Sequence, residues 1–165
     1  MAGERDSWSV WLDQHGAALV LFARQWAPNR ADAEDVVQEA FIRFWRSRDR
    51  VAEPIAYLYA SVKHCALDWH RGRDRQSRRE VVVARPEAES LFAGSTEQEE
   101  RRAAIDAKLR ELPESQREVL VLTIWGGLSF PQIAKVLQIS VNTAASRYRY
   151  ALARLREQLA EEAIR

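Results

Sequence analysis

Apolar residues recur at helical spacing along most of this chain, and the pattern breaks at a few definite points. From about Ser7 to Trp26 the series Trp8, Trp11, Leu12, Ala18, Leu19, Phe22 and Trp26 predicts a first helix. Pro28 and Asn29 interrupt it. A second helix is expected from near Asp32, a good N-cap residue, with Glu34 and Asp35 favoured by the dipole of its first turn. It runs to about Ser47, and Val37, Ala40, Phe41 and Phe44 form its core stripe. A third follows Pro54, which suits a first helical turn. Ile55, Leu58, Tyr59, Val62, Ala66 and Trp69 step along it at three and four residues.

Periodicity is then lost from about Gln76 to Ser95, where Pro86, Gly94 and mixed charges surround a few apolar residues (Val81 to Val83, Leu91, Phe92). This stretch reads as a linker. A capping box at Thr96 and Glu99 restarts helix, with Ile105, Leu109 and Leu112 as its stripe and Pro113 as its end. A further helix covers about Ser115 to Trp125 and stops at Gly126-Gly127. Ser129 and Gln132 form another capping box, opening a short helix that ends near Leu137, and Ser140 caps a last helix reaching about Glu161. The fold class expected is all-α: two small helical domains, residues 1–75 and 97–165, joined by a flexible linker at 76–96, with a helix-turn-helix in the second. Each domain is small enough for its core to be marginal alone.

Composition fits this picture. Six Gly and five Pro in 165 residues, against long stretches rich in Ala, Leu, Arg and Glu, favour helix over strand. Six Trp supply large apolar bodies for small cores. Cys65 stands alone, which excludes an intramolecular disulfide and fits a reducing compartment. No signal-like apolar run opens the chain, and nothing approaches the ~20 apolar residues of a membrane span. The expectation is a cytoplasmic protein with no membrane insertion.

The formal net charge of +1 hides a strong segregation. Residues 63–79 carry Lys63, Arg71, Arg73, Arg75, Arg78 and Arg79 against Asp68 and Asp74, whereas residues 87–100 carry five Glu and no basic residue. From Gln132 to Arg156 there are five basic residues, Lys135, Arg147, Arg149, Arg154 and Arg156, and no acidic one. A polyanion is the simplest cause, since neutralising phosphates releases condensed counterions.

On the last helix Val141, Ala144, Tyr148, Leu152, Leu155 and Leu159 face one way, and are expected to pack on the preceding helices. Asn142, Ser146, Arg149 and Arg156 face another. A helix laid in the DNA major groove needs that division, with its first residues at base edges and its Arg side chains on phosphates. Ala134 lets the two helices approach, and Ile133, Leu137 and Ile139 clamp the turn. The bland alternative is a solvated basic face on an ordinary helical hairpin.

The second helix places Asp35, Gln38, Glu39 and Ile42 nearly opposite its core stripe, with Trp45 at the edge. An apolar centre ringed by carboxylates suits a partner protein with basic residues, whereas a solvated acidic face with one stray Ile is the plain reading. The third helix is expected to expose Ala56, Ala60, Lys63, His64, Leu67 and Arg71. Basic residues near Tyr57 and Trp69 suit single-stranded DNA, phosphates on Arg and bases on aromatic faces; otherwise Tyr59 and Trp69 are core and the Arg run is solvated. His64, Cys65, Asp68 and His70 are metal-ligand types, but they point around the helix rather than at one spot. His15 reads as a core-edge or surface histidine. With no Gly-rich phosphate loop, no nucleophile motif and no clustered carboxylates in an apolar setting, neither an enzyme nor a cofactor is expected.

Taken together, three segments resemble the extracytoplasmic-function class of bacterial RNA polymerase sigma factors. Asp32-Ala-Glu-Asp-Val-Val-Gln-Glu-Ala-Phe-Ile-Arg-Phe-Trp-Arg46 is similar to its core-binding helix. Ala56-Tyr-Leu-Tyr59 through Ala66-Leu-Asp-Trp69 is similar to its promoter-melting helix. Leu112-Pro-Glu-Ser-Gln-Arg-Glu-Val-Leu120, then Gly127-Leu-Ser-Phe130 and the helix-turn-helix, resembles its C-terminal domain. The resemblance runs through nearly the whole chain in the family's order.

What it implies is a factor that binds core RNA polymerase, directs it to particular promoters and helps open the duplex. Asp35, Gln38, Glu39, Ile42 and Trp45 would meet the polymerase. Lys63, His64, Arg71, Arg73 and Arg75 would handle the minus-ten element. Ser140, Asn142, Thr143, Ser146, Arg147, Arg149 and Tyr150 would serve the minus-thirty-five element. The linker would thread the polymerase cleft toward the RNA exit path, and an anti-sigma factor is an expected partner. Three positions depart from the family's habit: His64 where Asn is common, Ala145 where Lys or Arg is common, and Gln138 where the turn often has Gly. A self-sufficient dimeric DNA-binding regulator and a purely sequestering interaction protein are the rival readings.

Overall fold

The structure, a computed structural model, describes residues 2–77 and 95–165. Among them every regular element is helical, and the chain divides into two compact units, Met1–Ser95 and Thr96–Arg165. The expected linker, with Arg78, Arg79, Glu87 and Glu89, lies almost wholly outside the described residues.

The first unit holds α1 (Ala2–Ala23), α2 (Arg30–Ser47), a short 3-10 turn (Arg48–Arg50) and α3 (Pro54–Ser77). Its core takes Leu19 and Phe22 from α1, Val36, Val37, Ala40, Phe41 and Phe44 from α2, and Leu58, Tyr59, Val62 and Ala66 from α3. Aromatic edges knit it together. Trp8 meets Phe41 at 4.4 Å and Trp45 at 5.1 Å, and Phe22 meets Tyr59 at 5.5 Å between ring centroids.

Two expectations for this unit need correction. The cap of α2 is Asn29, whose side chain accepts from the Asp32 amide at 2.8 Å, so Asp32 is a residue of the first turn. Its carboxylate is taken by Asn29 Nδ2 at 2.9 Å and by Arg73 at 3.0 Å. Ala56 is buried rather than exposed, because α3 is covered by both α1 and α2 and its apolar arc is correspondingly wide.

The second unit holds α4 (Thr96–Arg110), α5 (Glu114–Ile124), α6 (Phe130–Leu137) and α7 (Val141–Ala163). Val119, Leu120, Val121 and Leu122 of α5, Ile133, Val136 and Leu137 of α6, and Ala144 and Ala151 of α7 fill its core. Just past α5, a Cβ added at Gly126 would lie 2.6 Å from the Leu122 carbonyl oxygen, and Gly127 takes φ +65. The chain then turns back into α6 through the expected capping box, Ser129 accepting from the Gln132 amide and Gln132 from the Ser129 amide.

In this unit too the buried stripes are shorter than helical spacing predicts. Ile105 is exposed, since only the last turn of α4, at Leu109, reaches the core. Val141 and Leu159 are also exposed. A helix of 23 residues is about 34 Å long, whereas α5 with 11 residues is about 16 Å and α6 with 8 residues about 12 Å, so neither neighbour covers α7 from end to end. α4 starts at Thr96 itself, with Glu97 paired to Arg101 on its exposed side. No described helix is long and apolar enough to cross a membrane.

Candidate nucleic-acid and polymerase interfaces

On α2 the buried stripe leaves one outward face. Asp35, Gln38 and Glu39 are exposed on it, and Ile42 is 42% exposed, a large apolar side chain among carboxylates. Glu39 is paired with exposed Arg43 one turn on, a bond that a competing partner displaces at little cost. Trp45 stands at the edge as expected. Its ring lies nearly parallel to Phe41 at 5.9 Å, and the Arg48 guanidinium sits 4.1 Å from its centroid. The 3-10 turn after α2 thus fixes the edge aromatic in place.

α3 carries the second candidate set. His64, Arg71 and Arg75 are exposed and Lys63 is partly so. The Lys63 ammonium lies 5.9 Å from the centroid of Trp26, which brings cation and aromatic together between α3 and the turn after α1. Arg73 differs from the rest. Besides its bond to Asp32, its guanidinium lies 4.9 Å over the half-buried Trp69. Part of its role is therefore to hold the end of α3 onto the start of α2. Tyr57 is exposed, Tyr59 is fully enclosed, and Cys65 is buried, which raises its thiol pKa. Among the described residues no three His, Cys, Asp or Glu side chains are grouped as a metal site would need.

The third set lies on α7, where the turn from α6 sets its start. Gln138 closes α6 in the left-handed region, φ 55 and ψ 48, with its amide on the Ala134 carbonyl. Ser140 then caps α7 by accepting from the Thr143 amide at 3.0 Å. Its hydroxyl also bonds that of Thr143 at 2.8 Å. Ser140 and Thr143, both expected to serve the minus-thirty-five element, thus have hydroxyls engaged with each other. Asn142, Arg149 and Tyr150 point outward, Tyr150 with 64% exposure, and Ser146 accepts from Arg149 at 3.4 Å. Arg147 is partly covered, and Phe130 packs on Tyr148 at 5.6 Å, holding α6 across α7. Val141 shares the spacing of the packing residues but is exposed, because it stands at the first position of α7, directly after the turn.

The protein thus has two folded units, one with an acidic-apolar helix face and one with a basic helix-turn-helix. The Sigma-70 region 2 family matches residues 11–76, and the Sigma-70, region 4 family matches residues 102–155. The RNA polymerase sigma-E factor of Streptomyces avermitilis is 34% identical over 145 residues, covering 86% of this chain and 79% of that protein. This chain belongs to the extracytoplasmic-function sigma factors. It directs promoter-specific transcription initiation as a partner of core RNA polymerase. The ECF RNA polymerase sigma factor SigL of Mycobacterium tuberculosis is 30% identical over 158 residues, 90% of this sigma factor and 86% of that one. The solved structure of CnrH in complex with the cytosolic domain of CnrY matches with TM-score 0.64 and 27% identity, over 97% of this chain and 92% of that chain. A sigma factor RpoE, solved with the anti-sigma factor NepR from Bartonella quintana, shares the fold at TM-score 0.67 and 23% identity.

Proposed function

We propose that this sigma factor grips core polymerase through the outward face of α2 and reads its promoter through α3 and α7. Asp35, Gln38 and Glu39 supply acceptors for basic groups on the polymerase, and Ile42 with the edge of Trp45 supplies the apolar centre. Lys63, His64, Arg71 and Arg75 bind the minus-ten element beside Tyr57 and Trp69, with Arg73 bracing the helix end. Asn142, Ser146, Arg147, Arg149 and Tyr150 bind the minus-thirty-five element, while Ser140 and Thr143 fix the start of the reading helix. The protein performs no covalent chemistry, acts in the cytoplasm and is held in check by an anti-sigma factor.

The observation that carries this reading is the exposure of Asp35, Gln38, Glu39 and Ile42 together on one face of a helix whose other face is fully enclosed. A single exposed Ile is ordinary on a protein surface; what supports a partner is its place among polar acceptors on the open face of a helix that lies inside the Sigma-70 region 2 match. The test is the doubly reversed variant Asp35→Lys with Glu39→Lys, both surface positions. It should keep its melting temperature and lose association with purified core polymerase by at least about tenfold, the worth of one good charged contact pair. Undiminished association would remove α2 from the polymerase interface.

A further inference from the structure

The first turn of α7 holds an apolar strip where a reading helix ordinarily offers polar groups. Val141 is 45% exposed at the first helical position, and Ala145, partly exposed, lies one turn further along the same side. Asn142 and Arg149 flank this strip on the outward side, and both are exposed. The Ser140 and Thr143 hydroxyls bond to each other, and the Ser140 oxygen also accepts from the Thr143 amide. Both are engaged at the helix start. Beside exposed Ser140, the outward side chains of this turn are the Asn142 carboxamide and the branched aliphatic Val141.

We infer that Val141 and Ala145 read the C5-methyl group of a thymine in the upstream promoter element. This rests on α7 being the element that enters the major groove. In that groove the thymine methyl is the one apolar feature that distinguishes a base pair, and small aliphatic side chains are its natural partners. Val141 stands at the N-terminal end of the helix, the part that reaches deepest toward base edges. Its exposure in the unbound protein leaves apolar surface to bury against DNA, and Ala145 leaves room for the methyl group where a long cation would fill the space. Asn142 beside it carries an amide donor and a carbonyl acceptor, the complement of the N7 acceptor and N6 donor of an adjacent adenine. The strip thus favours an element in which thymine sits next to a base read by Asn142.

The experiment isolates the methyl group. Holoenzyme assembled from core polymerase and this full chain transcribes a promoter library with a randomised upstream hexamer, prepared once with thymine and once with uracil in its place. Sequencing the transcribed templates gives the enrichment at each position. The expected result is one position where thymine is enriched and uracil is enriched about fourfold less, the worth of one buried methyl-sized group. Val141→Ala should abolish that difference at an unchanged melting temperature, and Val141→Ile should keep it. Equal thymine and uracil profiles overturn the inference while leaving the sigma-factor reading intact. A difference that survives in Val141→Ala also overturns it. A library from which no template is selected overturns α7 as the reading element, and this inference with it.

Discussion

Tyr59 is among the largest side chains fully enclosed in the first unit, and its hydroxyl has no hydrogen-bond partner among the described residues. Burial pushes its pKa upward, so the group stays neutral. Removing a buried hydroxyl without a partner while keeping the ring relieves a desolvation cost. Tyr59→Phe should therefore leave the thermal midpoint unchanged or raise it, by up to about 1 kcal/mol of stability; a clear fall would reveal a bond to that oxygen. His15 behaves in the opposite sense to an ion-paired histidine. It is half-buried with its ring 5.2 Å from Trp11, and burial lowers its pKa from the ordinary value of 6.5. The unfolded chain then takes up the proton more readily than the folded one. Its contribution is fully present above 6.5 and is lost as pH falls through the lower folded value. Melting curves between neutral and mildly acidic pH should show a smaller loss of stability for His15→Gln than for the parent. Identical losses would mean that His15 titrates as it does in the unfolded chain.

At the scale of elements, the α6–α7 turn is where local sequence and local structure agree most closely. Gln138 pays for a left-handed backbone with a side chain, so Gln138→Gly should stabilise the second unit by about 1 kcal/mol. Ser140→Ala should cost about 1 kcal/mol, because its hydroxyl satisfies the Thr143 amide. Chemical denaturation of both variants checks the two signs. The caps at Ser129 and Ser140 were legible because each acts within three residues. The cap of α2 was not. Asn29 and Asp32 are both good caps in sequence, and the choice between them involves Arg73, which meets Asp32 across 41 residues. Val141 and Leu159 were misplaced for a related reason: spacing reveals which side of a helix is apolar, but the lengths of its neighbours decide how much of that side is covered.

At the scale of the molecule, the proposed function needs two charged faces on separate units. The acidic-apolar face of α2 and the basic outward face of α7 belong to compact bodies with their own cores. Damage to one should leave the other working. Arg147→Glu with Arg149→Glu should retain polymerase association and lose promoter-specific transcripts by at least about tenfold, since two phosphate-seeking cations become repulsive. Gel filtration with core enzyme and run-off transcription measure the two properties separately. The faces themselves were readable from charge patterning and helical spacing. Arg73 was not readable as a brace, because its partners Asp32 and Trp69 come together only in the folded unit. The most direct test is transcription by purified core polymerase from a pool of genomic fragments, with and without this chain, followed by mapping of the start sites. A small set of new start sites should appear that share two spaced upstream elements and vanish when either charged face is reversed. An unchanged set of start sites in the presence of the chain would contradict the proposed function.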